Sequence, residues 1–223
     1  VRNLTWSYSS LKTFEQCPKK YYHLKVAKDV KDTGSAATVY GQDVHKAAED
    51  FIAIGTPIPA KFKFVAPALE ALKQIPGEKH CELKLAVAYN DAGHTPTTFF
   101  AKDVWWRGVV DLLIIDGDKA FMADYKTSKN AKYADTTQLD IMAAAVFTHY
   151  PEVKEIKSAL IFVVSNEFVK KVHSRELHKS YYAAFDTPLE RLVGAQESNV
   201  WNAVTSPLCA YCPVKTCPHN NGR

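Results

Sequence analysis

The spacing of apolar residues divides the chain into a helical start, a strand-rich middle and a helical end. Over residues 6–26, Leu11, Phe14, Tyr21, Tyr22 and Leu24 form a helical stripe, with Ser9 or Ser10 in position to cap it. Pro18 interrupts the stripe, which predicts a break or a second short helix there. Residues 28–37 are polar, contain Gly34 and predict a loop. Helical periodicity returns over 39–54 through Val44, Ala47, Ala48, Phe51 and Ile52, and Gly55-Thr56-Pro57 stops it. A shorter helix is expected over 64–75, before Pro76-Gly77.

From Glu82 the period changes to two, so 82–89 predicts a half-buried strand. Residues 90–98 predict a turn or loop, and 99–104 a further strand. The stretch 107–127 is two apolar runs joined by Asp116-Gly117-Asp118-Lys119, the pattern of a β-hairpin. A polar connection over 128–135 leads into an alanine-rich helix over 136–148, closed near Pro151. Residues 156–164 predict a strand with 167–173 as its partner. A long helical stretch over 180–204 follows, with Pro188 near the start of its main segment. Helices, strands, helix, strand and helix in that order predict an α/β (α+β) fold, a mixed sheet flanked by helices.

The 223 residues suffice for one domain with a substantial core. Its expected parts are an N-terminal helical segment (1–38), a core (39–175) and a C-terminal helix with a cysteine-rich tail (176–223). A net charge of +4 permits an anionic partner without requiring one. No apolar run approaches the ~20 residues that span a bilayer, and the first residues lack a signal-peptide pattern, so a cytoplasmic location is expected. Three of the five cysteines crowd into the last fifteen residues, a distribution that points to a metal or cluster site rather than disulfides.

Asp111 and Asp124 each interrupt an apolar run of the hairpin, and Lys126 shares the strand face of Asp124. Buried charges cost several kcal/mol unless paired or metal-bound, so a metal site is expected here. Mg²⁺ or Mn²⁺ takes hard oxygen ligands, which Asp111, Asp124 and the backbone carbonyl of Tyr125 supply. Two helical residues extend the set: His45, four after Gly41, and Gln138, at the start of the alanine-rich helix. Taken singly, such a histidine is usually structural and such a glutamine solvent-facing.

Taken in order, the residues resemble the RecB-type nuclease domains of the PD-(D/E)XK superfamily. The likeness runs through Ser7-x-Ser9-x-x-Lys12-x-Phe14-x-x-Cys17-Pro18-x-x-Tyr21-Tyr22, Gly41-x-x-x-His45, Gly108-x-x-Asp111, Asp124-Tyr125-Lys126-Thr127 and Gln138-Leu139. It implies a restriction-endonuclease-like core and a metal-dependent DNA exonuclease acting on single strands or duplex ends. Phage or prokaryotic recombination, repair or CRISPR adaptation is the implied setting. In it His45 joins Asp111 and Asp124 as a ligand, which favours Mn²⁺. Lys126 orients water and stabilises transition-state charge, Gln138 positions Lys126 or the nucleophile, and Glu82 is an outer-shell ligand or a surface acid. No helicase motif is present, so unwinding would fall to a helicase, recombination or CRISPR partner. Lys19, Lys20, Lys25, Lys28, Lys129 and Lys132 are candidates to follow a phosphate backbone, and Tyr21, Tyr22 and Tyr133 to stack on bases. A structure-specific endonuclease and a catalytically weak nucleic-acid-binding module of the same fold are the alternatives.

Cys209-x-x-Cys212-x-x-x-x-Cys217 supplies three thiolates in a short tail. In the four-cysteine subgroup of RecB-type proteins, the CRISPR-associated and AddB-like exonucleases, one cysteine before the core and three after it hold a [4Fe–4S] cluster. Cys17 matches the first position and leaves Cys81 as a core thiol. A zinc site uses four thiolates equally well, and unbound thiols are the third reading.

Overall fold

A computed structural model describes residues 4–32, 34–132 and 134–222 of the chain. Its contacts divide it into two compact units: the two ends, Val1–Gly34 with Ala184–Arg223, and the middle, Ser35–Ala183.

The middle unit is built on one six-stranded sheet. Its strands are β1 (Glu78–Asn90), β2 (Gly93–Thr97), β3 (Val104–Asp116), β4 (Lys119–Lys126), β5 (Glu155–Phe162) and β6 (Glu167–Ser174), in the spatial order β2-β1-β3-β4-β5-β6. Neighbours are antiparallel except β4 and β5, which run parallel because a helix crosses over between them. The β3–β4 hairpin forms where the turn residues predict it. Asp116 pairs with Lys119, and Gly117 takes the positive φ of 60° that a two-residue turn requires.

On one face of the sheet, α3 (Ala36–Ile54) and α4 (Ala66–Gln74) pack through Val44, Ala48, Ile52, Leu69 and Leu72 onto Leu112, Ile114, Tyr125 and Ile161. On the other face lies α5 (Thr137–His149), the crossover helix, in which every residue from Ile141 to Phe147 is buried. A helix apolar all round belongs inside a fold. Arg175 closes its end, with Nη1 donating to the Phe147 carbonyl at 3.0 Å and Nε to that of Val153 at 2.5 Å.

The pattern misplaces several boundaries. Residues 93–97 form a strand where a loop is expected, and 99–103 are turns, with the Ala101 N–H donating to Thr98, where a strand is expected. Pro96 is tolerated in β2 because that strand is an edge. The first turn of α3 begins at Ala36, capped by Ser35, three residues before the apolar period becomes visible. A 3₁₀ turn over Ala60–Val65 precedes α4. The helical stretch over 180–204 is two helices, α6 (His178–Ala183) and α7 (Asp186–Ser198), and ends at left-handed Asn199 rather than Val204.

In the end unit, α1 (Tyr8–Gln16) is capped by Ser7, not by Ser9 or Ser10; Ser7 and Ser10 bond reciprocally in a capping box. Pro18 starts α2 (Pro18–Tyr21), and a π-turn over Tyr22–Val26 continues it. Phe14, Tyr21 and Tyr22 surround Trp201, so Tyr21 is a core residue, 5% exposed. Beside them the Lys19 N–H donates to the Asn202 carbonyl at 3.2 Å. This packing joins the two ends of the chain.

Candidate active site

The chemistry gathers where β3 and β4 separate. Their paired positions run from Asp116–Lys119 to Leu112–Ala123 and stop. Beyond that point the Tyr125 N–H donates to the Asp111 carboxylate, Oδ2, at 2.7 Å. One step on, Asp124 is 4% exposed, and the two carboxylates share a face at the mouth of the split.

Asp124, Lys126 and Gln138 close a ring. The Lys126 ammonium donates to Gln138 Oε1 at 3.0 Å, and Gln138 Nε2 donates to Asp124 Oδ1 at 2.8 Å. Asp124 Oδ2 lies 2.6 Å from Lys126 Nζ in a buried ion pair, which closes the third side. Burial, followed by the charge of Asp111, pushes the Asp124 carboxyl up to about 6, against the opposing pull of Lys126.

His45 approaches from α3. Gly41, one turn earlier, permits the approach: a Cβ there would stand 3.3 Å from Thr127 Oγ1. His45 Nε2 lies 3.0 Å from the Tyr125 carbonyl, which only accepts, so Nε2 carries the proton. Nδ1 faces Asp111 Oδ1 at 3.3 Å. A lone pair and a carboxylate oxygen repel at that distance unless a proton or a cation stands between them. Burial would lower the imidazole's pKa, but the hydrogen bond and charge of Asp111, with the charge of Asp124, raise it overall.

Glu82, which the sequence leaves as an outer-shell ligand or a surface acid, joins the arrangement. Its neighbours Cys81 and Leu83 pair with Leu112 and Val110, whereas Glu82 itself has a φ of 49° and drops out of the ladder. Burial and then repulsion by Asp111 raise its pKa. The ligand atoms of His45, Glu82 and Asp111 all lie within 4.8 Å of one another. Three acids crowd a half-buried site, and the ammonium of Lys126 beside them is engaged by Asp124 and Gln138. The donor set of two carboxylates and an imidazole, with the Asp124 carboxylate beside it, fits a hard divalent cation. Asp124 lies outside the tight group of three, and the Tyr125 carbonyl faces His45.

An open cleft of about 520 Å³ adjoins the group, lined in part by Gln42, His45, Lys46, Glu49 and Glu82. Gly41, His45 and Glu49 are spaced four apart on α3, so helical periodicity could have assigned Glu49 to this cleft.

The four cysteines Cys17, Cys209, Cys212 and Cys217 line a different cavity, within the end unit. Backbone N–H groups of Val204 and Ser206 point at Cys17 Sγ and Cys209 Sγ, at 3.5 and 3.4 Å. Among the described residues no three of these sulfurs converge within 4.8 Å. Cys81 is half-buried against the α3–α4 core. Lys19 and Lys20 line the cysteine cavity; Lys25 and Lys28 line a groove with Ser9, Ser10 and Thr13. Tyr133 lies outside the described residues.

A model of the PD-(D/E)XK nuclease superfamily matches residues 5–218. Solved structures share the fold at low identity. The crystal structure of SSO0001 aligns with a TM-score of 0.51 and 14% identity over 99% of this chain and 88% of that one. A protein from Eubacterium rectale described as "Putative exonuclease" aligns with a TM-score of 0.53 and 14% identity over 97% of this chain and 91% of its own. No curated protein sequence matches the chain.

Proposed function

Since the chain belongs to the PD-(D/E)XK nuclease superfamily, we propose that it is a divalent-metal-dependent deoxyribonuclease that degrades DNA from strand ends. The six-stranded mixed sheet with helices on both faces is the restriction-endonuclease-like fold of that superfamily. The observation that carries the reading is the closed ring of Asp124, Lys126 and Gln138 beside the convergent His45, Glu82 and Asp111. The likeness to the Eubacterium rectale protein supports action at ends.

His45, Glu82 and Asp111 would hold Mg²⁺ or Mn²⁺, with Asp124 Oδ2 and the Tyr125 carbonyl next to them. When bound, such a cation neutralises charge on phosphoryl oxygens and acidifies water. Lys126 has three N–H donors. One goes to Gln138 and one faces Asp124, which leaves one for a phosphoryl oxygen or the attacking water. Gln138 spans Lys126 and Asp124, so it holds the ammonium in place as substrate arrives.

The test is digestion of end-labelled single- and double-stranded DNA in a metal series. Wild type is expected to degrade DNA with Mn²⁺ or Mg²⁺ and to stop with chelator. Asp124→Ala and Lys126→Ala are each expected to lose roughly 10²- to 10³-fold in kcat. Undiminished degradation by either variant would overturn the site. A covalently closed single-stranded circle is expected to survive; its cleavage would favour the endonuclease reading.

We assign the four cysteines to a [4Fe–4S] cluster. Cys17 and the three tail cysteines line one cavity, the pairing of one early and three late cysteines that supports this reading. The two N–H groups directed at sulfur suit a cluster, whose potential such bonds tune.

A further inference from the structure

Two cations lie on the strand face that carries the acids, an exposed aromatic stands in the turn against them, and the chemistry above uses none of the three. Alternation along β3 turns Arg107, Val109 and Asp111 to one face, and the register of β1 sets Lys84 opposite Val109. Lys84 therefore stands one side-chain step from Asp111, about 7 Å along the strand, and Arg107 two steps, about 13 Å. Phe99, in the turns before β3, lies against both: Lys84 Nζ is 5.9 Å from its ring centroid and Arg107 Cζ 5.7 Å. Arg107 Nη1 also donates to the Phe99 carbonyl at 3.5 Å. Phe100 meets Phe99 edge-on, with centroids 5.2 Å apart, and is itself 80% exposed.

The contacts with Phe99 hold the turn before β3 but leave both positive charges without a counter-charge. Among the described residues neither Lys84 nor Arg107 is paired with a carboxylate. Phe100 adds almost nothing to a core. A phosphodiester, however, must approach three carboxylates that repel it, and uncompensated cations beside them offset that repulsion. Their position on one side of the acids gives an approaching strand a direction.

We propose that Lys84, Arg107 and Phe100 form a subsite for a single-stranded DNA segment leading to the scissile bond. The two cations hold neighbouring phosphates, and Phe100 stacks on an unpaired base. Stacking selects the single strand, because a base inside a duplex has no free face. The subsite rests on the nuclease reading of the acids, and its test separates the two.

Fluorescence anisotropy of labelled oligothymidylate with Ca²⁺ as the only divalent ion measures binding, and the same oligonucleotide with Mn²⁺ measures degradation. The double variant Lys84→Glu, Arg107→Gln is expected to bind at least about tenfold more weakly. Its log-affinity against log-salt slope should be shallower by about 1.4, two phosphates at about 0.7 each. Phe100→Ala, whose side chain is too exposed to endanger folding, is expected to weaken oligothymidylate binding roughly 5- to 100-fold with the salt slope unchanged. Blunt duplex should respond little to it. In degradation the losses should fall on KM more than on kcat. Variants that bind oligothymidylate within twofold of a DNA-degrading wild type would overturn the subsite and leave the nuclease reading intact. An equal loss on duplex and single strand from Phe100→Ala would overturn the stacking role. A wild type that neither binds nor degrades DNA would overturn both readings.

Discussion

Glu82 sits in a backbone conformation that strands avoid. A left-handed residue other than glycine costs on the order of 1–3 kcal/mol and persists where surrounding structure enforces it. Here the ladder on either side holds Glu82 and turns its carboxylate toward His45 and Asp111. Glu82→Gln removes one of the crowded charges while keeping the side chain's shape. Metal-free Glu82→Gln is therefore expected to melt no lower than wild type, while its Mn²⁺ affinity, measured by calorimetry, should fall roughly 10- to 100-fold. Unchanged affinity would remove Glu82 from the metal's surroundings. In sequence Glu82 is one strand-end acid among many; the signal that distinguishes it is a positive φ, which no residue pattern announces. Asp111 and Asp124 were legible because acids inside apolar runs need a reason wherever they lie.

At the scale of elements, β2 is the instructive departure. Its five residues, Gly-His-Thr-Pro-Thr, have neither alternation nor apolar content, and they pair with β1 over Ala86–Asn90 all the same. A ring stack helps to hold them. His94 lies between Tyr89 and Tyr182, with centroids at 4.3 and 3.8 Å and interplanar angles of 7° and 15°. Burial, followed by the charge of His178, lowers the His94 pKa to about 4. An unfolded histidine titrates near ~6.5, so between these values the unfolded chain binds a proton that the native chain does not. Stability from this stack is accordingly full above the unfolded value and is lost as pH falls toward 4. The melting temperature, followed by circular dichroism, should drop less between pH 7 and pH 5 in His94→Phe than in wild type. An equal drop would exclude His94 as a source of acid sensitivity.

The whole molecule joins residues that are far apart in sequence. Cys17 shares a cavity with three cysteines of the last fifteen residues, and α1 packs on α7, so the two ends form one unit around that cavity. A cluster held by all four thiolates would staple that unit. Protein purified without oxygen is expected to be brown, to contain iron and sulfide, and to bleach on reduction. Cys17→Ser should lose the colour together with several degrees of melting temperature. A colourless protein with one zinc per chain would replace the cluster with zinc, and a metal-free one would overturn both.

His45 and Gln138 entered the candidate site only through the family resemblance, whereas local patterns in the chain determined the hairpin, helices α3 and α5, the mixed α/β order and the apolar setting of Asp111 and Asp124. Those features depend on periodicity, on turn chemistry, and on the cost of burying a charge, which is the same wherever the residue lies. Tertiary structure alone decided that β3 and β4 part at Asp111, that Gln138 bridges Lys126 to Asp124, that Glu82 joins His45, and that Lys84 and Arg107 meet at Phe99. Each of these is a contact across strands or between a helix and the sheet. It depends on register and approach distance, and a linear sequence specifies those only through the packing of the whole fold.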